Sequence, residues 1–130
     1  MEKKDLKPAG VFKYFEEICQ VPRPSKKEEK MIAYLKAFGA KHNLETKVDE
    51  AGNVLIKKPA TPGKENLQTV VLQSHIDMVC EKNNDVQHDF LTDPIETEID
   101  GEWLKAKGTT LGADNGIGVA TELAILADDS

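Results

Sequence analysis

The first stretch whose residue types and spacing could do chemistry runs from Ser74 to Asp77, with His75 two residues before the aspartate. A histidine ring nitrogen can bind a metal ion, and a carboxylate on the other ring N–H fixes the tautomer. The stretch follows the apolar run Thr69 to Leu72, and open α/β sheets bind ligands beyond the carboxyl ends of their strands. His75 and Asp77 are therefore a candidate metal ligand and its orienting partner. The alternative is that both residues cap a loop.

The second such stretch is Leu111 to Gly118, in which three glycines surround Asp114. Glycine lets the backbone turn with positive φ or approach another group closely. A carboxylate on such a turn could bridge two cations, and two divalent ions about 3.5–4 Å apart are a known device for hydrolysing acyl and phosphoryl bonds. The alternative is a glycine-rich helix start with Asp114 near the helix N-terminus, where a carboxylate is favoured anyway.

Two amphipathic helices are predicted ahead of these stretches. Pro8 can open the first helix because its missing N–H is no loss there, and Pro22 and Pro24 end it. Ser25 and Glu28 match a capping box for the second helix. The apolar faces of the two helices consist of Val11, Phe12, Phe15, Ile18 and Cys19 and of Met31, Ile32, Leu35 and Phe38.

Two hairpins are predicted from paired strand patterns that flank short turns. Leu44 to Asp49 precedes Val54 to Lys58 across a Gly-Asn turn, and Ile95 to Ile99 precedes Glu102 to Ala106 across an Asp-Gly turn. We expect Trp103 to pack on the second hairpin.

The remaining two elements are apolar runs. Thr69 to Ser74 reads as a strand buried on both faces. Ile117 to Ala127 is apolar on nearly every side, which predicts a fully buried helix. Together the elements predict an α/β fold, with a mixed sheet covered by flanking helices.

Composition excludes several classes of function. The 130 residues carry a net charge of −6 with both signs interspersed, which argues against a nucleic-acid partner. No apolar run approaches the roughly 20 residues needed to span a bilayer, and no signal peptide precedes the first helix, so no membrane partner is expected. Cys19 and Cys80 form no disulfide framework and read as reduced thiols of a cytoplasmic protein.

Taken together, the two stretches resemble a known family. Gln73 to Val79 and Thr109 to Val119 are similar to motifs of the bacterial aminoacyl-histidine dipeptidases, cytosolic zinc enzymes of the M20 metallopeptidase group. The resemblance continues in Val21 to Ser25, Lys82 to Asp85 and Asp100 to Trp103. It covers nearly the whole chain in the right order and spacing.

The resemblance implies a zinc-exopeptidase-like fold and a small peptide substrate, with Xaa-His dipeptides as the expected class. By the same resemblance, His75 binds one of two zinc ions and Asp77 orients that histidine as part of the catalytic machinery. Asp114 bridges the two zinc ions, and the peptide bond from Asp114 to Asn115 is expected to be cis.

The chain departs from the family pattern after Asp114. In the family, a Glu-Glu pair supplies the general base and a further zinc ligand, and more ligands and a lid domain accompany it; none can be matched here. Residues 1–130 therefore resemble the incomplete, N-terminal portion of the catalytic domain. We expect such a fragment to bind zinc weakly or not at all, to be inactive alone, and to form a homodimer through exposed strand edges.

Two alternatives to the dipeptidase reading stay open. A tripeptidase or an N-acyl amino-acid deacylase of the same metallohydrolase group would share both motifs. The alternative outside the enzymes is a non-catalytic binding domain that has kept the metal-site loops.

Overall fold

A computed structural model describes all residues from 1 to 130. After a short 3-10 helix, Lys3–Asp5, the chain forms three α-helices and four β-strands. These are α1 (Ala9–Cys19), α2 (Glu29–Lys41), β1 (Glu45–Val48), β2 (Val54–Lys57), β3 (Thr97–Asp100), β4 (Trp103–Ala106) and α3 (Ala113–Ala127). The combination of helices with small antiparallel sheets agrees with the predicted α/β class, but the strands form two separate antiparallel sheets and not the single mixed sheet expected.

The core lies where α1 packs against α3. Gly10 of α1 faces Ala124 of α3 so closely that a Cβ on the glycine would lie 3.6 Å from the alanine Cβ. The apolar faces predicted for the first two helices supply half of the buried hydrophobic side chains. Each large side chain buried in this way stabilises the fold by roughly 1.5–3 kcal/mol. The buried hydrophobic residues are Tyr14, Phe15, Ile18, Cys19, Met31, Leu35, Phe38, Met78, Ile95, Val119, Ala120 and Leu123.

Both predicted hairpins are present, each as a separate two-stranded antiparallel sheet. In the first, β1 pairs with β2 and packs beside α2, where Gly39 leaves room for Thr46. In the second, β3 pairs with β4, and the amide of Ile95 donates to the Cys19 carbonyl at the end of α1, 2.8 Å away. Trp103 does not pack on this hairpin as predicted, because its side chain points into solvent.

The predicted buried strand Thr69 to Ser74 is wrong for this chain. Its backbone forms no strand, and Val70 and Val71 are 77% and 80% exposed. The physical reason is that a strand needs a neighbouring strand to pair its backbone N–H and C=O groups, and none of the four strands lies beside this run. The apolar pattern alone could not reveal that absence.

Two smaller predictions about helix boundaries and burial also differ from the structure. The second helix begins at Glu29 with no side-chain cap, because the Ser25 hydroxyl bonds to Asp77 and accepts no hydrogen bond from an amide of the helix. The third helix is buried on one face only: Val119 and Leu123 lie against the core, whereas Ile125 is half-exposed. None of the helices combines the length and hydropathy that a membrane span requires.

Candidate functional site

The three residues singled out in the sequence meet at one histidine ring. His75 Nδ1 lies 3.0 Å from Asp77 Oδ1, and His75 Nε2 lies 3.0 Å from Asp114 Oδ1. One imidazole therefore joins two motifs that are 39 residues apart in the sequence. Both ring nitrogens are engaged, so the orientation of the ring is fixed from both sides.

The ring lies in an electrostatic environment that favours a cation. The hydrogen bond to Asp114 is the main cause that raises the pKa of His75, and the bond to Asp77 adds to it. The Ser25 hydroxyl is the main cause that lowers the pKa of Asp77, followed by the bond from His75. A positive charge at the imidazole is thus stabilised by a carboxylate on either side. A metal ion on Nε2 would replace the proton there, so binding would release it.

Asp114 is presented by an irregular start of α3. Gly112, just before the helix, has φ 78°, and Asp114 and Asn115 keep non-helical backbone angles within it. The peptide bond between Asp114 and Asn115 is cis, as the resemblance implies. The Asn115 side-chain oxygen accepts a hydrogen bond from the Gly118 amide at 3.2 Å. The Asp114 side chain is left 97% exposed, so its second carboxylate oxygen is open to a ligand.

Sequence reasoning missed Arg23, a side chain only 2% exposed beneath the site. Its Nη1 donates to the carbonyls of Ile76 and Asp77, each 3.2 Å away, and its Nη2 donates to the carbonyl of Gly112 at 2.7 Å. Burial lowers the pKa of the Arg23 guanidinium, although an arginine keeps its proton in proteins. Arginine is by default a surface residue, so only the resemblance of Val21 to Ser25 to the family could have marked it.

Ser25 was also missed, because its spacing to Glu28 suggested a helix cap. Its hydroxyl donates to Asp77 Oδ2, the oxygen that does not face His75. Asp77 is therefore held by a hydroxyl on one oxygen and by the imidazole on the other. The segment between α1 and α2 thus takes part in building the site, as a lone Ser-x-x-Glu pattern could not show.

The donor set fits a zinc ion in chemical type but not in number. A neutral imidazole nitrogen and carboxylate oxygens are ordinary zinc ligands, and His75 and Asp114 present one of each. A catalytic zinc ion normally has three protein ligands, and no group of three or more histidine, cysteine, aspartate or glutamate side chains in the chain is arranged to hold a metal. The residues present could hold part of a metal centre.

Comparison with known proteins adds to this geometry. No family model matches the chain. The cytosol non-specific dipeptidase of Escherichia coli (strain K12) is 51% identical to it over 129 residues, which are 99% of this chain and 27% of that protein. The crystal structure of the aminoacylhistidine dipeptidase from Vibrio alginolyticus superposes with a TM-score of 0.96 at 53% identity, over 100% of this chain and 26% of the other. In sequence and fold, this chain is similar to one part of an aminoacylhistidine dipeptidase.

The similarity to the aminoacylhistidine dipeptidase includes every element that positions His75, Asp77 and Asp114, because it extends over the whole chain. The chain spans about a quarter of the length of both relatives. A tripeptidase from Staphylococcus aureus subsp. aureus Mu50 superposes less closely, with a TM-score of 0.72 at 21% identity over 90% of this chain and 31% of the other. At that identity the likeness concerns the fold alone.

Proposed function

We propose that this chain is the N-terminal portion of the catalytic domain of a zinc-dependent dipeptidase of the M20 group. The observation that carries the proposal is the His75 ring, held between Asp77 and Asp114 at 3.0 Å on each side. The high identity to two dipeptidases supports it, since the shared region contains all three residues. The expected cellular location is the cytoplasm, as the name of the Escherichia coli relative states for that protein.

Each residue of the site has a separate role in this proposal. His75 would hold a zinc ion, and Asp77 accepts the Nδ1 proton, which leaves the Nε2 lone pair of His75 available for a ligand bond. Asp114 would bridge the two zinc ions of the complete site. When bound, zinc would polarise the peptide carbonyl and lower the pKa of a bound water.

The general base and the remaining ligands are not supplied by these residues. Asp77 is hydrogen-bonded on both oxygens, and Asp114 is engaged with His75. The chain spans about a quarter of its relatives, so we place the base, the other ligands and the lid in the remainder of such an enzyme. Residues 1–130 alone are expected to bind zinc weakly and to hydrolyse no peptide, because two ligands shared between two ions make an incomplete site.

The proposed substrates are small peptides, with Xaa-His dipeptides first. The Vibrio relative is named for aminoacylhistidine and the Escherichia relative as non-specific, so a wider dipeptide range is a close second. A tripeptidase is an alternative that the fold of the Staphylococcus enzyme supports, and an N-acyl amino-acid deacylase would need the same site. A non-catalytic binding domain is the alternative outside the enzymes.

The test is a chimaera in which this chain replaces the matching quarter of the Vibrio alginolyticus enzyme. Zinc-dependent hydrolysis is measured for Xaa-His dipeptides, other dipeptides, tripeptides and N-acyl amino acids, with the isolated chain assayed in parallel. We expect dipeptide hydrolysis by the chimaera and none by the chain. In the chimaera, Asp77→Asn should reduce activity or zinc affinity by about 10–100-fold, and His75→Ala by more. The exposed Asp85→Asn is the matched control and should leave the rate unchanged.

The other outcomes each contradict part of the proposal. A chimaera that folds and binds zinc but cleaves only tripeptides or N-acyl amino acids would identify one of the alternative enzymes. A folded chimaera that cleaves nothing would favour the binding domain. Hydrolysis by the isolated chain would mean that its ligand set is complete after all.

A further inference from the structure

We propose that Arg23 is the positioning residue that holds the His75 loop and the Asp114 loop at a fixed separation. The inference rests on the proposed function for the purpose of that separation, but the contact itself is independent of any metal. Of the 17 lysine and arginine residues in the chain, Arg23 is the only arginine. It is also buried, at 2% exposure, which is rare for a charged side chain.

One guanidinium contacts both halves of the site. Nη1 donates to the carbonyls of Ile76 and Asp77, the two residues directly after His75, at 3.2 Å each. Nη2 donates to the carbonyl of Gly112, two residues before Asp114, at 2.7 Å. The guanidinium is a planar, rigid fork, so the spacing of its nitrogens sets the spacing of the carbonyls it binds. The two loops therefore cannot separate without breaking a buried hydrogen bond.

Ion pairing does not explain the buried arginine. None of the ion pairs in the structure involves Arg23, and all three of its acceptors are backbone carbonyls. A positive charge beneath a cation site is also electrostatically unfavourable for that site. The role of the guanidinium is therefore the geometry that its two donating nitrogens impose on three carbonyls. A side chain with a single donor nitrogen would not impose that geometry.

Two glycines leave the space that the guanidinium occupies. A Cβ on Gly112 would lie 2.5 Å from Arg23 Nη2, and a Cβ on Gly116 would lie 2.7 Å from the same atom. Gly112 has positive φ and would be glycine for that reason alone, but Gly116 does not. The lack of a side chain at Gly116 is thus explained mainly by the close approach of Arg23, with a Phe15 ring carbon 3.2 Å from the same Cβ position as the next neighbour.

The backbone of the same segment fixes Arg23 to one side of the site. The Met78 amide donates to the Arg23 carbonyl at 3.0 Å, and Pro24 forms a parallel bridge with Met78. The segment that contains Arg23 and Pro24 therefore lies alongside the residues after His75. From this segment the Arg23 guanidinium reaches the Gly112 carbonyl. Two other hydrogen bonds, from Ser74 to Glu122 and from Thr110 to the Val79 carbonyl, also connect the two parts of the chain. Each is made by a hydroxyl group, which lacks the rigid fork of the guanidinium.

The experiment uses the metal-free 130-residue chain and the nuclear Overhauser contact between the His75 ring protons and the Asp114 β-protons. Arg23→Lys keeps the charge and removes the fork, and Gly116→Ala keeps Arg23 and displaces it. We expect both variants to lose this contact. Reference contacts between Gly10 and Ala124 in the core and between the Tyr14 and Phe38 rings should persist. Gly10→Ala is the matched control, because its Cβ meets only an ordinary van der Waals neighbour at 3.6 Å.

An undiminished His75–Asp114 contact in either variant would overturn the inference. So would loss of the reference contacts in both variants, because Arg23 would then support the core rather than the site. The double variant Arg23→Lys, Gly116→Ala should lose no more of the His75–Asp114 contact than Arg23→Lys alone. The closest atom to the new Cβ, Arg23 Nη2, is then gone, and the Phe15 ring carbon at 3.2 Å has to shift only slightly. If the chimaera proves inactive while the variants behave as expected, the proposed function fails and the positioning role of Arg23 stands.

Discussion

Two apolar stretches of this chain, α3 and the run Thr69 to Leu72, differ in burial. α3 packs its Val119 and Leu123 against α1, whereas Val70 and Val71 are among the most exposed hydrophobic side chains of the molecule. A helix satisfies its own backbone hydrogen bonds and needs only an apolar neighbour, but a strand needs another strand for its backbone as well. The comparison shows that an apolar pattern specifies a preference for burial without specifying the partner.

The candidate site lies at the junction between these two regions. His75 follows the exposed run, and Asp114 belongs to the first turn of the packed helix. Asp114 is thus carried by a helix that packs on the core, whereas His75 is carried by a segment with few buried side chains. Arg23 and Ser25, from the segment between α1 and α2, connect the His75 segment to the core.

The largest expected difference between the two regions is in stability. Leu123→Ala should lower the free energy of unfolding by about 2–5 kcal/mol, because it removes a fully buried side chain and leaves a cavity beside α1. Val71→Ala, the matched control in the exposed run, should change it by less than about 0.5 kcal/mol. Urea denaturation followed by circular dichroism measures both.

Equal losses in the two variants would contradict the comparison. They would mean that the run from Thr69 is buried in solution, against another part of the chain or against a second copy. A Leu123→Ala variant with unchanged stability would instead mean that α3 does not form the core with α1.

Local sequence patterns predicted the fold correctly where the interacting residues lie close together in the sequence. The two hairpins and the amphipathic faces of the first two helices were found because each turn or face brings together residues close in sequence. The prediction of a strand from Thr69 failed because no neighbouring part of the sequence supplies a strand to pair with it.

For the site, the sequence identified His75, Asp77 and Asp114, which the structure brings together. It missed Arg23 and Ser25, because a buried arginine on backbone carbonyls and a serine that bonds across the chain follow no short spacing.

A smaller effect is expected in the titration of His75, at the junction of the two regions. The structure holds the pKa of His75 above its ordinary value of 6.5, chiefly through Asp114. Asp114→Asn in the metal-free chain should therefore move that pKa down toward 6.5, as measured from the ring proton shifts. Asp128→Asn is the matched control, because it lies at the far end of α3, and it should leave the titration of His75 unchanged.

The same shifts fix the sign of the pH dependence of stability. The raised pKa of His75 means that its contribution to the free energy of unfolding is complete below about 6.5 and is lost as pH rises through the folded-state value. The lowered pKa of Asp77 acts oppositely: its contribution is complete above 3.8 and is lost as pH falls through its lower folded-state value. Removing the Asp114 carboxylate should therefore flatten the decline in stability that begins as pH rises above 6.5. An unchanged decline would argue that Asp114 does not contact the ring in solution.

The smallest effect on folding is expected in the exposed run itself, where the consequence is association. Val71→Lys should change the free energy of unfolding by less than about 0.5 kcal/mol, since the side chain is already in water. An exposed, apolar and unpaired segment invites strand pairing with another copy, and a lysine there opposes such pairing. The weight-average mass of the unmodified chain, measured by sedimentation, should therefore rise with concentration. The mass of the Val71→Lys variant should stay at the value of a monomer.

The control variant Thr61→Lys adds the same charge to an exposed loop and should associate like the unmodified chain. If the unmodified chain stays monomeric throughout, the homodimer hypothesis fails, and exposure of this run alone does not drive association.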